Sequence, residues 1–291
     1  MNYAIINDES LKKYNTLKLA SKAELIAFPF NSQGVKEVFN NFKDRKKIII
    51  GKGSNILLSK EYYNEDYLFI NLKLMDDIFI EDELLYAEAG LSLSELAWFS
   101  IKNNIKGYEF LEDIPGTIGG AVIMNAGTHR GNIGQFINNI KYYDISKDEI
   151  IEKRVKNGDF NRRTSFWDKK DVVILGCEFK IIYGDYLESL NELLSLKKER
   201  FKKQPRNYPN AGSVFKRPIK DGKVLRVWKY IDKVGLRGYS ENDAMISSKH
   251  TGFIVNKGSA KYEDINKLIK IIKEKVSKEC DLELELEWKI I

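Results

Sequence analysis

The chain has 291 residues, 43% hydrophobic and 31% charged, with 48 lysines and arginines against 42 aspartates and glutamates for a net charge of +6. That balance excludes a disordered or low-complexity chain and describes a globular protein large enough for two or three domains. Two cysteines, Cys177 and Cys280, and two histidines, His129 and His250, exclude a disulfide framework and leave little for a cysteine- or histidine-ligated metal, so no metal is expected. The N-terminus lacks a basic, apolar leader and no run approaches ~20 apolar residues, so a cytoplasmic protein without a membrane span is expected.

Residues 1–22 are short polar and apolar pieces with no evident chemistry. Ala23 to Pro29 reads as a strand. Val35, Val38, Phe39 and Phe42 at helical spacing predict an amphipathic helix from Gln33 to Asp44. Lys46 to Ile50 reads as a buried strand running into the turn Gly51-Lys52-Gly53-Ser54-Asn55, the opening of an α/β arrangement. Residues 67–90 alternate apolar runs with acidic turns and read as strands. Ser92 and Glu95 form a capping-box pattern opening a helix to about Asn104.

The glycine-rich stretch GYEFLEDIPGTIGGAVIMNAG, Gly107 to Gly127, follows. Glycines set this densely among apolar residues predict tight turns and close backbone approach, and exposed amides in such a turn can bind phosphate. Strands resume at Ile140 to Tyr143 and Asp171 to Phe179, enclosing the basic segment Phe160 to Phe166 with strand-like flanks. Leu187, Leu190, Leu194 and Phe201 mark a long helix ending at Lys202-Lys203, and Pro205 and Pro209 enclose a polar linker. Beyond it, a helix at Val227 to Val234 ends at Gly235, strands lie around Lys249-His250, and Ile265 to Val276 is amphipathic. The chain closes in strict alternation, Leu282, Leu284, Leu286, Trp288 and Ile290 against Glu283, Glu285, Glu287 and Lys289, which predicts one half-buried strand.

The first glycine turn fails the dinucleotide fingerprint, because Ile56 stands where a third glycine belongs and no helix follows. It survives as a different kind of phosphate turn. Both glycine segments could face one phosphate-bearing cofactor, with Arg163, Ser213 and Glu287 as candidate reacting groups. Each has a plain alternative: Arg163 on a solvated basic face, Ser213 capping a turn, Glu287 one of three glutamates on an exposed strand face. Spacing alone does not choose among Glu283, Glu285 and Glu287. The basic segment Lys197 to Arg206 invites a nucleic-acid reading, but it contains Glu199, continues an amphipathic helix and carries no recognised nucleic-acid motif.

From about residue 15 to the end the chain resembles the UDP-N-acetylenolpyruvoylglucosamine reductases, in their shorter form. GKGSNILL, the long glycine-rich stretch, NAGSVFKRP, SSKHTGFIVN and the closing EWKII resemble that family's segments in order. The resemblance implies an α+β chain whose FAD-binding fold, of the vanillyl-alcohol-oxidase type, comprises two subdomains, 1–75 and 76–185. A connecting helix and linker (186–209) and an α+β substrate-binding domain (210–291), whose last strand returns a glutamate to the flavin cleft, would complete it. It implies FAD and NADPH as cofactors and UDP-N-acetylglucosamine enolpyruvate as substrate, reduced for peptidoglycan synthesis. No nucleic acid or obligate protein partner is expected; the rival is a flavoenzyme of this fold with another substrate.

By the same resemblance Gly51, Lys52, Gly53, Ser54, Asn55, Ile114, Pro115, Gly116, Thr117, Gly119, Gly120, Asn125 and Ala126 would hold FAD. Lys203, Lys216 and Arg217 would meet the substrate. Ser213 would donate a proton while Arg163 and Glu287 stabilise an enolate, Glu287 only if protonated. Four departures from the family pattern stand out: Ala20-Ser21 for paired glycines, Asp113 for a glycine, Arg162 for a tyrosine and Arg217 for an asparagine. Arg162 and Arg163 are adjacent, and on a strand they would point oppositely.

Overall fold

The structure, a computed structural model, describes residues 1–220 and 222–291 and divides into two compact units. The first comprises residues 1–8, 24–52 and 64–200; the second comprises 9–23, 53–63 and 201–291.

The chain opens with β1 (Tyr3–Ser10), a strand that the mixed pattern of 1–22 did not announce, and continues with β2 (Lys22–Pro29), α1 (Ser32–Asn41) and β3 (Lys46–Ile49). Asn31 caps α1, its Oδ1 accepting from Gly34 N at 2.9 Å, and Val35, Val38 and Phe39 form the buried face that the spacing predicts. Next come β4 (Ile56–Leu57), β5 (Tyr62–Tyr63), β6 (Tyr67–Ile70), β7 (Ile78–Glu81) and β8 (Leu84–Glu88). One sheet has the order β1-β2-β6-β3, with β2 and β3 both parallel to β6.

α2 (Leu93–Lys102) begins at the expected capping box: Ser92 Oγ accepts from Glu95 N at 3.2 Å, and Glu95 Oε2 accepts from Ser92 N at 3.1 Å. The glycine-rich stretch does not stay a turn. Its second half is a helix, α3 (Ile118–Met124), so Gly119 and Gly120 sit in a first helical turn. Gly119 packs closely on β8's end, since a Cβ there would lie 3.2 Å from Ala89 Cβ, tighter than ordinary contact.

β9 (Ile137–Asp144), β10 (Glu149–Arg154), the short hairpin of β11 (Phe160–Asn161) and β12 (Thr164–Ser165), and β13 (Val172–Lys180) follow. An antiparallel sheet of order β10-β9-β13-β8-β7 results. Its apolar residues share one core with α1, α2 and α3; Phe39 of α1, for example, meets Tyr143 of β9 edge-to-face at 5.3 Å. In α4 (Tyr186–Lys203), Ser189, Leu193 and Leu196 are buried, while Leu187, Leu194 and Phe201 are exposed.

The second unit contributes the hairpin β14 (Ile219–Lys220) and β15 (Lys223–Val224), α5 (Val227–Lys233), β16 (Ser240–Glu241), β17 (Ala244–Ile246), β18 (Ile254–Asn256), α6 (Tyr262–Cys280) and β19 (Lys289–Ile290). α5 ends at Gly235 as expected, in the left-handed region at φ +70°. The single closing strand is not formed. Residues 285–287 pair with 214–216: Lys216 N donates to Glu285 O at 2.9 Å and Glu287 N to Val214 O at 2.8 Å. Lys289 N then turns to Asn55 O at 3.0 Å, and β19 runs parallel to β4. The change of partner between Glu287 and Lys289 breaks the period of two. Ile290, on the predicted inner face, is therefore exposed, and Glu287, on the predicted outer face, is half-buried.

Candidate active site

In the first unit the two glycine segments meet. A Cβ at Gly51 would lie 2.6 Å from Thr117 Oγ1, so glycine lets the Thr117 side chain sit this close to the turn. Asn71, buried, holds the turn by donating from Nδ2 to Gly51 O at 3.2 Å. The amides of Ile118 and Gly119 are committed to Leu91 O and Ala89 O, both at 2.9 Å, so a phosphate nest spanning the whole stretch is not formed. Gly120 is exposed, and a Cβ there would meet nothing nearer than Thr117 Oγ1 at 3.7 Å. Gly51, Thr117 and Gly120 thus outline one open edge, with exposed Lys52 and Pro115 and half-buried Ile114 and Gly116 beside it in the chain.

Asn125 ends α3 at φ +43°, a conformation that asparagine tolerates better than most residues. Its Nδ2 donates to Asn161 O at 2.8 Å and its Oδ1 accepts from Gly134 N at 3.2 Å. Next to it, Ala126 O accepts from Ile133 N at 2.9 Å. Asn125 therefore ties the glycine segment to the base of the β11–β12 hairpin, whose two-residue loop is Arg162-Arg163. The expectation that the two arginines alternate on a strand is corrected: they occupy a turn. Arg162 is exposed, while Arg163 is half-buried and held at φ +59°. A left-handed arginine is backbone strain of the kind that gathers at functional sites. Asp113 takes φ +68°, the conformation that glycine adopts readily, so its substitution leaves a glycine-like backbone there.

Glu112 is an anchor that sequence reasoning passed over. It is 5% exposed, accepts from Lys197 Nζ of α4 at 2.7 Å and from Ser94 Oγ of α2, and its carbonyl accepts from Arg200 Nη1 at 3.2 Å. Burial pushes its carboxyl up, but the bonds from Lys197 and Ser94 outweigh it and hold the group below its ordinary range. Only the acidic residue before a glycine turn could have signalled it.

In the second unit, Gly53 stands at φ +62°, and a Cβ there would lie 2.3 Å from Tyr14 O. Thr16 N donates to Gly53 O at 3.3 Å. Asn55 Nδ2 reaches Glu287 O at 3.1 Å. Gly212, at φ +76°, presents its missing side chain toward Ser54 O, 4.0 Å from an added Cβ, and Ser213 follows it, half-buried. The 214–216 segment pairs with 285–287, so Val214, next to Ser213 in the chain, and Asn55 both bond the Glu287 backbone. Glu283 and Glu285 are exposed, and Glu285 is taken by Lys216, which it pairs with directly. Arg217 and Lys203 are exposed. A cavity of about 320 Å³ lies beside the expected linker, lined by Arg206, Tyr208, Ser247 and Lys249, two of them cationic.

His250 lies against Trp228 and Phe253, and its Nδ1 accepts from Gly252 N at 3.1 Å. Burial lowers its pKa below the usual histidine value, and the Arg217 charge adds to the effect. Among the described residues no group of three His, Cys, Asp or Glu side chains is placed to hold a metal ion, and no helix is long and apolar enough to cross a membrane.

In the first unit the open edge at Gly120, where an added Cβ would meet nothing nearer than 3.7 Å, and the exposed Lys52 fit the phosphates of a dinucleotide cofactor. A family model described as "FAD binding domain" matches residues 23–149, and one described as "UDP-N-acetylenolpyruvoylglucosamine reductase, C-terminal domain" matches residues 204–291. The UDP-N-acetylenolpyruvoylglucosamine reductases of Fervidobacterium nodosum and Francisella tularensis are 39% and 34% identical over 97% of this chain, and the matches cover 90% and 98% of theirs. The crystal structure of the Thermus caldophilus reductase matches with a TM-score of 0.81 at 25% identity, covering 100% of this chain and 99% of that one. With relatives this similar along nearly the whole chain, the protein belongs to the UDP-N-acetylenolpyruvoylglucosamine reductase family.

Proposed function

We propose that this protein uses NADPH and FAD to reduce UDP-N-acetylglucosamine enolpyruvate to UDP-N-acetylmuramate, a peptidoglycan precursor, in the cytoplasm. The observation that carries this reading is the open edge outlined by Gly51, Thr117 and Gly120 in the first unit, beside the exposed Lys52. That edge is suited to the cofactor's phosphates, and in the second unit Asn55 holds the Glu287 backbone.

Gly51, Lys52, Gly53, Ser54, Asn55, Ile114, Pro115, Gly116, Thr117, Gly119, Gly120, Asn125 and Ala126 would hold FAD. When bound, it supplies the reducing equivalents from NADPH as a hydride to the substrate's β-carbon. The resulting enolate lies next to a carboxylate, so its charge needs donors fixed in advance. Arg163, held by its turn, and Glu287, in its protonated form, supply them. Ser213 gives its hydroxyl proton to the α-carbon, completing net addition of two hydrogens across the double bond. Lys203, Lys216 and Arg217 would bind the anionic parts of the substrate. Residues 1–75 and 76–185 would be the FAD subdomains, 186–209 the connector and 210–291 the substrate domain.

The visible spectrum of the purified protein tests this reading. Anaerobic NADPH should bleach a yellow protein, and the enolpyruvyl substrate should then restore the colour. Bleaching without recovery would assign the flavin to a different substrate. A protein colourless even after incubation with FAD would overturn the reading.

A further inference from the structure

The basic segment that begins at Lys197 has no part in the chemistry above, yet Lys197 and Arg200, one turn apart on α4, both reach Glu112. Lys197 Nζ donates to Glu112 Oε1 at 2.7 Å, and Arg200 Nη1 donates to the Glu112 carbonyl at 3.2 Å. From α2, Ser94 Oγ donates to Glu112 Oε2. Both oxygens of a buried carboxylate are thus matched, one of them by a charge. Residues 94, 112, 197 and 200 all lie in the first unit.

α2 and the residues before it hold the other end of the same loop. Ile118 N donates to Leu91 O at 2.9 Å, Ser92 and Thr117 pair as an isolated bridge, and Leu93 N donates to Gly116 O at 3.2 Å. The run 113–116, which carries Ile114, Pro115 and Gly116, is therefore pinned at Glu112 before it and at Gly116-Thr117 after it. The later pin is backbone pairing. The earlier one is a side chain, and it brings α4 to bear on the loop. A loop fixed before its ligand arrives loses less freedom on binding, and an apparent Kd rises by the factor by which the competent form is depleted.

We propose that Glu112 is a positioning residue for the cofactor edge. Its carboxylate, held between Ser94 of α2 and Lys197 of α4, keeps the run from Ile114 to Thr117 in the form that takes FAD. The inference rests on the flavin reading. Because Glu112 acts through the loop, its effect falls on cofactor affinity.

The test is the FAD dissociation constant of the full chain, read from flavin fluorescence on dilution of the FAD-loaded protein, beside the urea unfolding midpoint of the flavin-free protein. Glu112→Gln keeps an acceptor for Ser94 and removes the charge that Lys197 meets. Its Kd should rise about tenfold, the order of effect of one charge-assisted hydrogen bond. Lys197→Met breaks the same bond from an exposed position and should raise the Kd alike, and the double variant should lose no more than either single one. Lys198→Met, exposed on the same helix, should bind FAD like the native chain. A lowered midpoint with a native Kd would make Glu112 a structural residue and overturn the proposal, as would additive losses in the double variant. A native chain that binds no FAD would overturn the flavin reading, and this inference with it.

Discussion

Asn55 donates from Nδ2 to the carbonyl of Glu287 at 3.1 Å, and its own carbonyl accepts from Lys289 N at 3.0 Å. A residue of the first glycine turn thus grips the chain on both sides of the point where the closing segment changes partners. That grip takes Glu287 out of the exposed row that its sequence parity assigns it. The turn serves two ends: its glycines permit close packing, and its asparagine holds the Glu287 backbone.

Asn55→Ala should therefore loosen Glu287 as well as the turn. Losing a hydrogen bond of this kind costs about 1 kcal/mol of stability, a modest drop in unfolding midpoint. Stopped-flow traces should show reoxidation of reduced flavin by substrate slowed more than its reduction by NADPH. Equal slowing of both half-reactions would show that Asn55 acts through the cofactor alone.

Ser213 offers the sharper kinetic test. Ser213→Ala should leave reduction by NADPH near the native rate and slow reoxidation by the enolpyruvyl substrate by roughly 10²–10³-fold, the effect of losing one aligned donor in comparable sites. Single-turnover measurement of each half-reaction checks it. A variant with both rates unchanged would remove Ser213 from the chemistry.

Arg163 combines strain with a proposed catalytic charge, and the two separate cleanly. Arg163→Gly relieves the left-handed backbone, so the unfolding midpoint should be retained or rise slightly. Substrate-driven reoxidation should nonetheless fall by roughly 10²–10³-fold. Arg162→Ala, at an exposed position, should change that rate little. The reverse pattern would make Arg162 the functional arginine.

Much of this was legible in the sequence, and what was not has identifiable causes. The cap at Ser92 and the buried face of α1 are local, so spacing revealed them. β1 was missed because YAIINDES lacks a clean period. α3 was read as a turn because of its glycine pair, yet Gly119 reports close packing against Ala89, a tertiary contact that the poor helix propensity of glycine does not reveal. The left-handed Arg163 has no sequence signal, since nothing in an Arg-Arg pair announces a positive φ. The path of Glu287 depends on Val214 and on Asn55, both far from it in the chain.

His250 gives the protein a predictable acid sensitivity. In the unfolded chain a histidine titrates near ~6.5; in the fold, burial and the Arg217 charge lower that value, so the imidazole stays neutral. Between the two values the unfolded state binds more protons. The contribution of His250 is thus fully present above about pH 6.5 and is lost progressively as pH falls toward the folded value. Urea unfolding midpoints should be flat from pH 8 to 7 and decline below 6.5. His250→Phe keeps an aromatic ring against Trp228 and Phe253 but leaves Gly252 N without its acceptor. It should lower the midpoint at pH 8 while flattening the decline near pH 6. A variant with the same acid slope as the native protein would assign that slope to other groups.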